Sequence, residues 1–316
     1  MTLQVTIAKV WNETSEIKCF DLRPCNGHAL PPLEPGSHID VHVGEKLVRQ
    51  YSLWNGPEER DRYFIGVKRE LESRGGSSGM HGLSEGDTIT IGDPKNNFPL
   101  SETDGESILI AGGIGITPLL SMARHLAAWG RPHHLHLFTR SADHTPFKKL
   151  LGDAVTATIH TGLSGEQRDE TIAQLLSGAG AGNAHVYTCG PQPFMNLIVT
   201  TAEAKGWPSE QVHLEYFTVE PIADASGDVA FEVYAKQSDK AVVVAPGQPI
   251  TEALLAEGIE IMTSCEQGVC GTCLTTVLEG EPDHRDVYLN PAEKKSGKVI
   301  MPCISRCKGK RLVLDV

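Results

Sequence analysis

At 316 residues, with 40% hydrophobic and 22% charged residues, the chain has room for two or three domains that each bury a core. Its net charge of −12 would repel nucleic-acid phosphates, and no apolar run is long enough to span a bilayer. The opening Met-Thr-Leu-Gln-Val-Thr-Ile-Ala-Lys-Val alternates like a strand and lacks the apolar core of a signal peptide, so a cytoplasmic protein is expected.

Residues 1 to about 101 read as short strands, among them Gln4–Val10, His38–Val43, Arg62–Lys68 and Thr88–Gly92, separated by Gly, Pro and Asn turns. Strands at this spacing point to an antiparallel β-barrel. Two segments stand out in it: Arg49-Gln50-Tyr51-Ser52-Leu53, and Lys68 followed by Ser73-Arg74-Gly75-Gly76-Ser77-Ser78. An aromatic ring can lie against a flavin, an arginine fork can clamp a phosphate, and a glycine–serine loop exposes backbone N–H groups for an anion. The competing reading of the second segment is a flexible hairpin loop with a solvated arginine.

From about 102 to 223 strands alternate with helices. Ser107–Ala111 is an apolar strand, Gly112-Gly113-Ile114-Gly115-Ile116-Thr117-Pro118 a glycine-rich turn, and Leu119–Trp129 a helix-like run. Strand, turn and helix in this order aim N–H groups and a positive dipole end at a dinucleotide pyrophosphate, although Pro118 departs from the usual G-x-G-x-x-G fingerprint. Leu135–Thr139, Thr156–His160, His185–Cys189 and Val212–Phe217 follow as strands; Pro146–Leu151, Thr171–Leu176 and Pro193–Lys205 follow as helices. This alternation predicts an α/β, doubly wound parallel sheet with its ligand at the strand C-terminal ends, where Cys189-Gly190-Pro191 lies. His133, His134 and His136 form the densest histidine group; on a strand they do not all share a face, so packed or solvated rings are expected rather than a metal site.

Residues 218–228 are small, polar and Pro/Gly-bearing, as in an interdomain linker. Beyond it, Val229–Ala235 and Ala241–Ala245 read as a hairpin and Ile250–Glu257 as a helix. Cys265-Glu-Gln-Gly-Val-Cys270-Gly-Thr-Cys273 then begins a set that Cys303 completes. C-x4-C-x2-C with a remote fourth cysteine is the plant-type [2Fe-2S] spacing, whereas structural zinc sites use two short cysteine pairs. Gly268 and Gly271 are expected to keep bulk away from the sulfides. Cys307 reads as a plain surface or core thiol, and Asp283-His284-Arg285-Asp286 as a surface ion network.

Taken in this order, Arg49-x-Tyr51-Ser52, Ser73-Arg74-Gly75-Gly76-Ser77, Gly112 to Met122, Cys189-Gly190-Pro191, Glu215-x-Phe217 and the cysteine set resemble the phthalate dioxygenase reductase family, which includes vanillate O-demethylase reductases. The resemblance spans essentially the whole chain. It implies three domains: a flavin-binding β-barrel (1–101), a nicotinamide-binding α/β domain (102–223) and an α+β, β-grasp ferredoxin domain (229–316). It implies an NADH-dependent enzyme carrying FMN and a [2Fe-2S] cluster and feeding a Rieske-type terminal oxygenase; a cytochrome P450 is the alternative acceptor. Carried over, Arg49, Gln50 and Arg74, Gly75, Gly76 and Ser77 would hold the FMN phosphate. Gly66, Val67 and Lys68 would offer backbone to the flavin, which Tyr51 and Ser52 would face. Thr117 would sit at the flavin–nicotinamide boundary, Gly112, Gly113, Cys189, Gly190 and Pro191 on the nicotinamide cofactor, and Phe217 beside the flavin. Cys265, Cys270, Cys273 and Cys303 would ligate the cluster.

The chemistry would then be cofactor-borne: hydride from NADH to FMN, then single electrons to the cluster, with no catalytic side-chain set. Asp143, after the strand end Phe138–Thr139, joins the resemblance in favouring NADH over NADPH. FMN over FAD rests on the resemblance. Separate cores joined by a linker suit a monomer.

Overall fold

The computed structural model describes all residues except 1, 26, 28, 45, 46, 72, 74, 154, 178–181 and 218–226. The expected linker at 218–228 therefore lies, as far as residue 226, outside the described residues, as does Arg74. Two compact units divide the chain, Met1–Phe217 and Thr218–Val316.

The first unit begins with β1 (Thr2–Asn12), β2 (Ile17–Pro24), β3 (His38–Val43), β4 (Leu47–Ser52), β5 (Tyr63–Lys68), helix α1 (Gly76–His81) and β6 (Thr88–Gly92). The strands form one antiparallel sheet in the order β4-β3-β6-β1-β2-β5. A bridge between Leu53 and Ile65 joins its two edges, so the sheet nearly closes into the barrel expected from the turn spacing. Alternation fills the inside: Val5, Ile7, Phe20, Leu22, Ile39, Val41, Tyr63, Ile65 and Ile91 are all buried in one cluster. The glycine–serine segment, expected as a nest or hairpin loop, instead runs into α1, with Gly75 at its N-cap.

The chain continues through β7 (Ser107–Gly112), α2 (Ile116–Ala128), β8 (His133–Thr139), α3 (Lys148–Asp153), β9 (Ala157–Thr161), α4 (Gly165–Leu175), β10 (His185–Cys189), α5 (Gln192–Ala204) and β11 (Val212–Glu215). All five strands are parallel in the order β11-β10-β7-β8-β9, which is doubly wound with its switch point between β7 and β10. Two helices start three or more residues before the positions expected from sequence. Helix α2 begins at Ile116, because Pro118 in the first turn gives up an N–H that needs no intrahelical partner. Helix α4 begins at Gly165 behind a capping box, in which Ser164 Oγ accepts from Gln167 N at 3.2 Å and Gln167 Oε1 from Ser164 N at 3.0 Å.

Barrel and parallel sheet share a core. Ile17, Cys19, Trp54 and Phe98 from the barrel side bury against Leu109, Ile116, Leu119, Met122, Phe147 and Tyr187. Each such buried side chain is worth roughly 1.5–3 kcal/mol. That shared apolar seam makes a single compact unit of what the sequence presents as two.

The second unit holds β12 (Phe231–Ala235), β13 (Lys240–Val244), α6 (Ile250–Ala256), β14 (Thr275–Glu279), β15 (Pro282–Asp283), α7 (Pro291–Ser296), β16 (Val299–Ile300), β17 (Arg306–Cys307) and β18 (Arg311–Leu314). The expected hairpin is the β12–β13 pair. First and last strands of the unit, β12 and β18, run parallel at the centre of the order β13-β12-β18-β14-β16, and Ile250 and Leu254 of α6 bury against them. This is the β-grasp arrangement. No described helix is long and apolar enough to cross a membrane.

Candidate functional site

In the first unit the sites expected from sequence converge on the seam between barrel and parallel sheet. Gly66 of β5 lies against α2: a Cβ there would sit 3.2 Å from Thr117 Cγ2 and 3.4 Å from Ile114 Cδ1. Thr117 is buried, and its hydroxyl donates to Ile114 O at 3.1 Å, which fixes the methyl toward the barrel strand. On the other side of the switch point, β7 and β10 end in abutting turns. A Cβ on Gly115 would lie 2.3 Å from Cys189 O, and one on Gly190 would lie 3.0 Å from Gly112 Cα. Gly112 in turn faces Pro191 and Phe194, so the glycines allow backbone to pass backbone where a dinucleotide crevice is wanted.

A carboxylate completes this region. Glu215 ends β11 directly beside Cys189 in the parallel ladder, and Ser52 Oγ at the end of β4 donates to Glu215 Oε2 at 3.4 Å. Desolvation raises the Glu215 carboxyl from 4.5 to about 8, while the Ser52 hydrogen bond opposes the rise. Glu215 thus holds its proton to a much higher pH than an ordinary carboxyl. Burial, then the nearby Glu215, push the fully buried Cys189 thiol well above its usual range, so it remains a neutral thiol and not a nucleophile. In the sequence Glu215 stands out only as part of the Glu215-x-Phe217 motif, with no role of its own. The available signal was an acid at a parallel strand's C-terminal end, one ladder position from Cys189.

The remaining barrel residues form a second group. The Arg49 stem covers Gly76, where a Cβ would lie 2.7 Å from Arg49 Cγ, and Gly75 and Gly76 begin α1 with Ser77 and Ser73 hydroxyls 3.1 Å apart. An anion cradle of arginine, small residues and hydroxyls fits a phosphate at this place. Gln50 points elsewhere: its amide donates to Asp40 Oδ1 at 2.8 Å, and Lys95 holds the other Asp40 oxygen at 2.7 Å. Tyr51 packs partly buried on the barrel core, Val67 is inside it, and Lys68 pairs with Glu70 at 3.0 Å. Phe217, beyond the end of β11, is 36% exposed. Trp54 is a core residue, stacked on Phe64 with centroids 4.5 Å apart. The histidine group is packed as expected. His136 is buried, its pKa pushed down to about 3 by desolvation, with Nδ1 3.2 Å from His160 Nε2.

In the second unit the four predicted ligands come together as two pairs. Cys265 lies beside Cys270, and Cys273 beside Cys303 in one buried cluster; all but Cys265 are buried. Two thiol pairs suit the two irons of a [2Fe-2S] cluster, whose soft metal ions favour thiolate donors. Among the described residues no three His, Cys, Asp or Glu side chains are grouped to hold a single metal ion. Gly268 and Gly271, expected to keep bulk away from the sulfides, meet a further constraint from the fold. Both have positive φ, 70° and 76°, and an added Cβ would strike Ile304 and Asp286, or the Tyr288 ring, so they are required by the backbone turn and by neighbouring side chains. The sequence 283–286 is not a surface network: Asp286 is 3% exposed, and Arg285 and the buried Arg306 both bind Asp228, at 2.6 and 3.2 Å. Cys307 is a core thiol on β17.

A family model for the 2Fe-2S iron-sulfur cluster binding domain matches residues 233–308. Vanillate O-demethylase oxidoreductase of Acinetobacter baylyi is 40% identical over 317 residues, covering 100% of this chain and 99% of that protein. Oxidoreductase NdmD of Pseudomonas putida is 42% identical over 96% of this chain, which spans only 52% of NdmD. Among solved structures, phthalate dioxygenase reductase, described as a modular structure for electron transfer from pyridine nucleotides to [2Fe-2S], superposes with a TM-score of 0.74 at 36% identity, covering 100% of this chain and 98% of its own. An intact type IV self-sufficient cytochrome P450 monooxygenase gives 0.84 at 33% identity, with this chain covered fully and 41% of the larger one. Together with the nearly closed barrel, the doubly wound sheet and the paired cysteines, these likenesses place the chain in the family of phthalate dioxygenase reductase and the vanillate O-demethylase oxidoreductases.

Proposed function

We propose that this protein is the reductase component of an oxygenase or O-demethylase system, passing electrons from NADH through FMN and a [2Fe-2S] cluster to a Rieske-type terminal oxygenase. The observation that carries the reading is the presence in one chain of a barrel–sheet seam built from Gly66, Thr117, Ser52 and Glu215 and of two cysteine pairs in a β-grasp unit. The domains correspond to 1–101, 102–223 and 229–316, and the protein works as a cytoplasmic monomer.

The bound groups supply hydride acceptance and release of electrons one at a time. The chain's own residues bind and orient them. Arg49, with Arg74 and the Gly75–Ser77 start of α1, holds the FMN phosphate, and Gln50, held by Asp40, braces β4 beside it. Tyr51, Ser52 and the Gly66–Lys68 backbone line the flavin. Gly112, Gly113 and Cys189 to Pro191 would receive the nicotinamide cofactor, with Thr117 at the flavin–nicotinamide boundary and Phe217 beside the flavin. The neutral Cys189 and the raised Glu215 carboxyl reduce negative charge in the crevice, and Ser52 with Glu215 can hold a proton there. Cys265, Cys270, Cys273 and Cys303 ligate the cluster.

Mass spectrometry of the released flavin, with iron and sulfide counted per chain, tests the assignment; the expected result is one FMN, two irons and two sulfides. A protein that binds FAD, or no flavin, contradicts it. A second acceptor class, a cytochrome P450, is favoured by the full-length match to the self-sufficient monooxygenase. NADH-driven product formation with a Rieske oxygenase and with a P450, assayed side by side, separates the two.

A further inference from the structure

The cluster unit contains a buried carboxylate outside the ligand set. The Asp286 side chain is fully buried. Its Oδ2 accepts from Leu289 N at 2.8 Å and its Oδ1 from Ser305 Oγ at 3.2 Å, while Lys294 Nζ stands 3.8 Å from Oδ2 and His284 Nδ1 stands 3.7 Å from Oδ1. A buried carboxylate with two full hydrogen bonds is costly to remove and rigid while present.

These bonds tie together both halves of the cysteine set. Ser305 lies two residues after Cys303; its N–H donates to Met301 O at 2.9 Å, and its hydroxyl also accepts from Arg285 N at 3.1 Å. On the other side, Val287, next to Asp286, donates its N–H to Gly268 O at 3.2 Å, and Gly268 is packed so closely that a Cβ would lie 2.9 Å from Asp286 Cβ. Gly268 sits between Cys265 and Cys270, and the N–H of its neighbour Gln267 donates to the Cys265 sulfur at 3.3 Å. One carboxylate therefore fixes both the segment that carries Cys303 and the loop that supplies the Cys265 sulfur with a hydrogen-bond donor. Hydrogen bonds to sulfur and nearby net charge are two of the quantities that set an iron–sulfur potential.

We propose that Asp286 is a positioning residue for the iron–sulfur centre: it holds the Gly268 loop, whose Gln267 N–H donates to the Cys265 sulfur, against the segment that carries Cys303, and it places a fixed negative charge behind the cysteine loop. The proposal rests on the ligand assignment above. Asp286→Asn keeps the shape and removes the charge, Asp286→Ala removes the brace, and Ser305→Ala removes one of its hydrogen bonds. All three are purified as the full chain and compared by redox titration monitored by EPR and by bleaching of the visible absorbance in excess chelator. The expected result is a more positive cluster potential and a shifted EPR signal in Asp286→Asn. Bleaching is expected to be at least fivefold faster in Asp286→Ala, with Ser305→Ala in between. Should Asp286→Ala not accumulate, the other two variants decide. An unchanged potential in Asp286→Asn, or wild-type bleaching in Ser305→Ala together with any Asp286 variant, overturns the proposal. A wild-type protein that takes up no cluster defeats the ligand assignment instead, which iron analysis reveals before any variant is made.

Discussion

Replacing Glu215 with Gln converts a titrating group at the barrel–sheet seam into a neutral one of the same shape. In the wild type the carboxyl is raised from 4.5 to about 8, chiefly by desolvation. At about 1.4 kcal/mol per pH unit, the folded state's preference for the protonated form has a gross value on the order of 5 kcal/mol. Glu215 is half-buried, so water reaching the crevice trims that to roughly 2–4 kcal/mol. The sign follows from linkage: a pKa raised on folding gives stability that is complete below about 4.5 and is lost progressively until about 8. Glu215→Gln does not titrate, so its stability advantage over wild type should grow across that window and level off above it. Urea unfolding followed by tryptophan fluorescence reads this unit alone, because Trp11, Trp54, Trp129 and Trp207 all precede residue 217. Curves for the two proteins that stay parallel from pH 5 to 9 would refute the assignment of a raised carboxyl at this position.

Gly115→Ala should destabilise the first unit by about 3 kcal/mol, since the new Cβ meets the Cys189 carbonyl at 2.3 Å and neither backbone can yield without parting β7 from β10. The same variant should lower NADH-driven ferricyanide reduction at least tenfold, measured in steady state. Gly271→Ala, at φ 76° and 2.3 Å from the Tyr288 ring, should leave less than half the wild-type iron and sulfide per chain. Asp228→Ala removes the counter-charge of the buried Arg306, which keeps its bonds to the Val229, Ala245 and Gln248 carbonyls, and should cost the second unit about 3 kcal/mol, seen as earlier thermal loss of the cluster's visible absorbance. Initial rates with NADH should exceed those with NADPH at equal concentration.

Much of this architecture was legible in the sequence because it is carried by local patterns. Strict alternation marks His38–Val43 and Thr88–Gly92, an unbroken apolar run marks β7, and the cysteine spacing marks the cluster loop. Helix starts were less legible. Pro118 looks like a boundary but is tolerated in a first turn, and the Ser164 box is polar and precedes any apolar stripe. What stayed hidden depends on long-range contacts. Ser52 and Glu215 are 163 positions apart, and Asp286 reads as one more surface charge until the fold sets it between Leu289 and Ser305. Nor does the sequence reveal that Trp54, Phe98 and Tyr187 would fuse barrel and sheet through one core.

An anaerobic titration of the purified protein with NADH, followed by absorbance and EPR, tests most directly whether one chain carries electrons from a dinucleotide to an iron–sulfur centre. The account predicts that the flavin band bleaches with the first equivalents and that the EPR signal of a reduced [2Fe-2S] cluster appears in the same sample. A flavin that bleaches while the cluster stays oxidised, or a protein in which NADH changes neither, would contradict it.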